Sequence, residues 1–185
     1  MPELIRSDLA LFLRTHGGGG VWAIIWGMAT NFGLQALLVY RIGRWASSHG
    51  AVSRAVLNVL LVLPRWWVSH AYGIVIENSA DIGRGLYIGH FGGIRVGECR
   101  MGDYCSIGQS VQIGPAAEGG SGPIIGNQVW IGAHSQILGP HTVGDGATVA
   151  AGSLIREDVP PNALVLGSPA RLIHKNYDNS RLRPF

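Results

Sequence analysis

Apolar positions follow two different rules along this chain. From Ile76 onward an aliphatic residue recurs every sixth position, at 76, 82, 88 and 94. After a one-residue slip the series resumes at 101, 107 and 113, and then at 125, 131, 137, 143, 149 and 155. Gly or Ala often follows at once, as in Ile82-Gly83, Ile107-Gly108 and Val149-Ala150. Two positions before the next aliphatic the side chain is often small: Ala80, Gly92, Cys105, Ser135, Ala147 and Ser153. A helix needs a period near 3.6 and a flat strand a period of two, and neither fits. A six-residue period predicts a parallel β-helix, with aliphatic ladders inside and small residues at the corners. The register also asks for an aliphatic at 119, where the chain reads PAAEGGSGPI (115–124). There a Gly-rich loop is expected to replace one coil face, in a place where loops commonly meet ligands.

Residues 3–70 follow the other rule. Segment 4–14 reads as a short mixed helix. Segment 21–47 repeats Trp22, Ile25, Trp26, Ala29, Ala36, Leu37 and Tyr40 at steps of three and four, and 51–68 reads as a helix broken near Pro64. Positions 17–40 carry no formal charge, but Thr30, Asn31, Gln35 and several glycines interrupt them. Helices packed in an oligomer, helices lying on a membrane surface through residues 20–68, and a true span all stay open.

Charge sharpens that division. Residues 1–73 hold six Arg against Glu3 and Asp8, whereas 74–185 hold eight Lys/Arg against nine Asp/Glu. The basic part is also the apolar part, which suits an anionic membrane face better than nucleic acid, and no nucleic-acid motif is present. Two cysteines, Cys99 and Cys105, are too few for a disulfide framework. With no signal-peptide pattern, the expectation is a cytoplasmic protein, in contact with the inner face of the plasma membrane if the basic region binds lipid.

The stretches ADIGRGLYIGH (80–90), GGIRVGE (92–98), SIGQSVQIG (106–114), VWIGAHSQILG (129–139) and VGDGATVAAGSLI (143–155) closely resemble the hexapeptide-repeat acyltransferases, in particular their serine acetyltransferase branch. QALLVYRIGRW (35–45) and PPNALVLGSPARLI (160–173) extend the resemblance. It implies a mainly β chain: a left-handed parallel β-helix over 74–173, with loop 114–124, an N-terminal α-helical region (1–73) and a C-terminal tail (174–185). It also implies acetyl-CoA as co-substrate, no metal, and a homotrimer, with pairing of trimers left open.

The family's general base matches His90, which would take the proton of an acceptor hydroxyl at a subunit boundary. Imidazole suits that task because its ordinary pKa leaves it largely neutral near pH 7. Glu98 and Gln109 match positions near the acceptor. Gly114, Ala133 and Ala151 match the acetyl-CoA groove, and Arg171 would meet its phosphates. The hexapeptide frame sets Ile88 and Ile94 inward and His90 on the turn between them.

Departures from the family bear on the acceptor. Where the serine enzymes carry an aspartate fifteen residues before the histidine, this chain has Val75, and just before the histidine it has Gly89. Their G-D-R-H-P loop is here Gly120-Ser121-Gly122-Pro123. A zwitterion needs opposite charges in its site. The expectation is therefore an uncharged acceptor, a sugar of surface-polysaccharide assembly, with L-serine and a non-catalytic trimeric scaffold as alternatives. His134 and His141 lack a carboxylate or cysteine to complete a metal site. His134 is expected at the edge of the CoA groove and His141 at an inward repeat position.

Overall fold

The computed structural model describes residues 2–16, 22, 25, 27, 30–48, 50–89 and 92–183. Four described helices precede the coil: α1 (Pro2–His16), α2 (Phe32–Ser47), α3 (Ala51–Leu60) and α4 (Val62–Ala71). Asn31 starts α2, its Oδ1 accepting from the Leu34 amide at 2.8 Å, as an N-cap should. Leu34, Ala36, Leu37, Tyr40 and Arg41 form the buried stripe of α2, which packs on the first coil. Gly33 lets the helix come close: a Cβ there would stand 2.6 Å from the Ile88 carbonyl oxygen.

The break between α3 and α4 falls at Leu61 rather than at Pro64. The proline ring is incompatible with the carbonyl four residues back, that of Leu60, where α3 ends. Pro64 itself then sits in the first turn of α4, where a missing N–H costs nothing. Among the described residues no helix is long and apolar enough to cross a membrane.

Among the described residues fifteen short strands follow, fourteen of them winding through three parallel sheets. The first face stacks β1 (Ile74–Ile76), β4 (Ile94–Val96), β7 (Gln112–Gly114), β10 (Gln136–Leu138) and β13 (Leu154–Ile155). The second stacks β2 (Asp81–Ile82), β5 (Arg100–Met101), β8 (Ile124–Ile125) and β11 (Thr142–Val143). The third stacks β3 (Tyr87–Ile88), β6 (Ser106–Ile107), β9 (Trp130–Ile131), β12 (Thr148–Val149) and β14 (Leu164–Gly167), and β15 (Ala170–His174) closes it in antiparallel pairing. This is the left-handed β-helix of hexapeptide repeats.

Aliphatic ladders fill the interior. Ile82, Met101, Ile125 and Val143 are Cα partners in succession, as are Ile88, Ile107, Ile131, Val149 and Val165. All are buried, and each contributes roughly 1.5–3 kcal/mol by leaving water. The small corner residues Ala80, Cys105, Ser135, Ala147 and Ser153 are buried as well. Outside, Asp103, Asn127 and Asp145 knit successive coils: each accepts from a main-chain N–H of the coil before it, at 2.7, 2.9 and 2.6 Å.

Two details differ from the six-residue frame. On the first face the ladder runs Ile76, Val96, Ile113, Ile137, Ile155, so Val96 takes the place expected of Ile94. Ile94 is buried too, but opposite Ile74. The corner between β3 and β4 is thus two residues longer than the hexapeptide rule allows, and the next corner is one shorter. The apparent one-residue slip is the sum of these two changes.

The Gly-rich segment does not replace a coil face either. β8 lies directly on β5, with Met101 opposite Ile125, so all three faces continue past it. The segment is an insertion at one corner. Its length of one hexapeptide is why the phase survives.

Candidate active site

Alternation in Ile94-Arg95-Val96 buries both aliphatics and turns Arg95 outward. Its Cα partners are Val75 on the coil above and Gln112 on the coil below. Beside this outward column runs a groove of ≈ 690 Å³, lined by Glu77, Arg95, Glu98, Gln112, Gly114 and loop residues from Pro115 to Gly120. The loop is held close to the second coil. Gly122 packs so tightly on Glu98 that a Cβ would come within 1.7 Å of the Glu98 carbonyl oxygen. The groove therefore combines a guanidinium with the carboxylates of Glu77, Glu98 and Glu118.

The candidate residues fall at two edges of the first face. Glu98 and Gly114 line the groove, and Gly114, in the left-handed region at φ 152°, is buried against Gly97. Gln109, Ala133 and Ala151 stack instead at the opposite corner, where the third face passes into the first. There the His134 N–H donates to the Gln109 carbonyl and the Gly152 N–H to the Ala133 carbonyl, both at 2.8 Å. The turn at Ser110 and the strand Gln112–Gly114 lie between the two groups, which stand at opposite edges of the first face. One chain does not bring the two groups together.

At the stacked corner the alanines present nothing beyond a Cβ, so a ligand can approach the main chain. The structure assigns the place over Gln109 to Gly92, whose carbonyl accepts from Ser110 N–H at 2.8 Å. His90, the expected general base, lies outside the described residues. Arg171 is exposed on β15 and stands 3.6 Å from the Glu157 carboxylate. His134 adopts the left-handed corner conformation at φ 61° and is exposed beside Ala133. His141 is half-buried at the surface, flanking Gly139 opposite Ala116 of the loop, and does not point inward as the repeat suggested. Burial pushes the Cys99 thiol, next to Glu98, up to about 12, which removes it as a nucleophile. Among the described residues no group of three or more His, Cys, Asp or Glu is placed to hold a metal ion.

Arg95 and Glu77 were missed by reading motifs alone. The signal was present, since a charged residue between two inward aliphatics of a strand must face outward.

A coil of hexapeptide repeats with a groove at its loop corner is a left-handed β-helix scaffold. The bacterial transferase hexapeptide (six repeats) family matches residues 122–157. Serine acetyltransferase of Salmonella typhimurium is 40% identical over 146 residues, covering 77% of this chain and 51% of that protein. The soybean serine acetyltransferase structure complexed with serine is 30% identical with a TM-score of 0.75, covering 94% of this chain and 70% of that one. Serine acetyltransferase of Brucella abortus in complex with coenzyme A is 26% identical with a TM-score of 0.77, covering 95% and 68%. The chain spans about half the length of the curated relatives it matches. It belongs to the hexapeptide-repeat acyltransferases, in the serine acetyltransferase-like branch.

Proposed function

We propose that the chain is an acetyl-CoA-dependent O-acetyltransferase whose acceptor is L-serine. Its relatives are serine acetyltransferases, one of them bound to serine and one to coenzyme A in their structures. The observation that carries the acceptor is the charge of the groove. Arg95 supplies a cation for a carboxylate, and Glu77 and Glu98 supply anions for an ammonium, which together meet the needs of a zwitterion. The expected preference for an uncharged sugar rested on Val75, Gly89 and the altered loop, and it left Arg95 out of account. A sugar hydroxyl remains the second reading, favoured by Val75 in place of an aspartate.

In the proposed reaction the His90 imidazole removes the proton of the acceptor hydroxyl as its oxygen attacks the thioester carbonyl. The tetrahedral centre then collapses, the carbon–sulfur bond breaks, and the proton passes to the leaving thiolate. The stacked corner at Ala133 and Ala151 would receive the coenzyme, and the groove of Arg95 and Glu98 the acceptor. Since these edges lie apart in one chain, a neighbouring subunit's corner would complete the site, as the proposed homotrimer requires.

Thiol release from acetyl-CoA, measured with L-serine and with a panel of neutral glycans, tests the reading. Turnover with serine that falls to background in His90→Ala is the expected result. Turnover confined to glycans would transfer the acceptor to the second reading. Equal background for both proteins on every acceptor would leave a scaffold.

A further inference from the structure

We infer that the outer face of α3 and α4 docks on an anionic lipid bilayer surface. Val56, Val59 and Leu60 stand at positions i, i+3 and i+4 on α3, and Leu63, Trp66 and Trp67 at i, i+3 and i+4 on α4. Each set therefore shares one helix face. All six are exposed, Val59 and Leu63 by 72% and 74% of their surface. Isolated apolar residues on a surface need no explanation, but six on adjoining short helices, two of them tryptophan, mark a contact surface. Tryptophan suits the bilayer interface, where its amphipathic ring sits at the headgroup level. Both helices have ten residues, too short to span and suited to lying flat.

Charge selects the occupant. From Leu9 to Ile76 the chain carries no Asp or Glu; of its five arginines Arg41 is buried against Asp8 and Arg44 pairs with Asp81, which leaves Arg14, Arg54 and Arg65 to set the sign of the stretch. A second copy meeting this face symmetrically would bring positive regions together, whereas anionic phospholipid is complementary to it. The arrangement also relates the docked face to the groove. Trp66 and Val75 line one cavity of ≈ 250 Å³ between α2, α4 and β1, and Val75 is the Cα partner of Arg95. Docking through α3 and α4 holds the first coil, and the acceptor groove beside it, at the membrane.

The full chain is sedimented with vesicles of phosphatidylcholine alone and of phosphatidylcholine with phosphatidylglycerol. Wild type is expected to pellet with the anionic vesicles, and Val59→Glu/Leu63→Glu to partition at least roughly tenfold more weakly. Because both side chains are mostly exposed, the variant should keep its circular dichroism and melting temperature. Arg54→Glu should weaken binding to anionic vesicles and leave neutral vesicles unaffected. Wild type remaining in the supernatant with both vesicles, or pelleting no better than the double variant, overturns the inference. So does a change in oligomer size in the double variant, measured by light scattering, without a change in vesicle binding, since a second copy would then cover the face.

Discussion

Val75 of β1 and Arg95 of β4 are Cα partners on the first face, and Arg95, not Val75, lines the groove beside the loop. Where the serine enzymes place a carboxylate, this chain has an isopropyl group, and a guanidinium stands beside it. If Arg95 holds the acceptor's carboxylate, Arg95→Ala should raise the KM for L-serine and leave the KM for acetyl-CoA unchanged. A hydrogen bond to a charged group contributes about 1.5–3 kcal/mol, equivalent to a loss of roughly 10- to 150-fold in kcat/KM. Arg95→Lys keeps the charge without the planar fork and should recover only part of the loss. Steady-state kinetics with each substrate varied in turn separates these outcomes. A parallel rise in both KM values would point to a disturbed fold.

A second charged pair holds the helices to the coil. Asp8 of α1 and Arg41 of α2 meet at 3.0 Å with both side chains essentially removed from solvent. Arg41 also donates to the carbonyls of Ile82 and Gly83 at 2.6 and 2.5 Å, and Asp8 accepts from the Gly85 amide at 2.9 Å. Burial pushes the Asp8 carboxyl above its ordinary value even though Arg41 and the amides pull it down. Asp8→Ala would leave the guanidinium buried and without its anion. The expected cost is about 3–5 kcal/mol in urea unfolding, because an uncompensated buried charge is the expensive case. The double variant Asp8→Ala/Arg41→Met should recover much of it.

Much of this architecture was legible because the repeat is a physical constraint. An aliphatic every sixth residue can be buried only if the chain turns a corner after each, so the burial of Ile107, Ile131 and Val149 was legible, whereas the place of Ile107 on Ile131 was not, because a register without the insertion sets it on Ile125. The two-residue lengthening before Ile94 was hidden, because a later one-residue deficit nearly cancels it and Ile94 is as buried as the Val96 that displaces it. The insertion within 115–123 read as a lost face for a similar reason, since six residues added to a three-residue corner are invisible to a six-residue period. Asn179 carried no motif at all. In the fold it is buried, donating to the Gln128 and Gly146 carbonyls at 3.0 Å, and it pins the C-terminal segment to the coil. For the site, resemblance named the candidates at each edge of the first face, but their distribution over two edges needed the sheet register.

The two cysteines give a pH prediction. Burial pushes both the Cys99 and Cys105 thiols from their ordinary 9.0 to about 12. Below about 9 the folded and unfolded chains both keep these protons, and the folded state has its full stability. Between about 9 and about 12 the unfolded chain releases them and the folded chain does not, so stability should fall as pH rises through that window. Urea midpoints at pH 8 and pH 10.5 are expected to differ in that direction, and Cys99→Ala/Cys105→Ala should flatten the difference. At pH 8 neither thiol should react with an aromatic disulfide until denaturant is added.

The insertion loop offers the most direct link between packing and acceptor binding. A Cβ on Gly122 would lie 1.7 Å from the Glu98 carbonyl oxygen and 2.6 Å from its carbon, and neither backbone atom can swing aside as a side-chain tip could. Gly122→Ala must therefore lift the loop or shift the Glu98 corner, the same corner that contributes an anion to the groove. Overpacking of this kind costs about 1–3 kcal/mol. Beyond that loss, the KM for the acceptor should rise more than that for acetyl-CoA, because Ala133 and Ala151 stand at the far edge of the first face. Gly120→Ala is the comparison: its Cβ would meet only atoms of Pro115 and Ala117 within the loop itself, the nearest being the Ala117 carbonyl oxygen at 3.1 Å. A melting temperature and acceptor KM disturbed equally by both substitutions would mean that loop stiffness, and not the contact with Glu98, sets the shape of the groove.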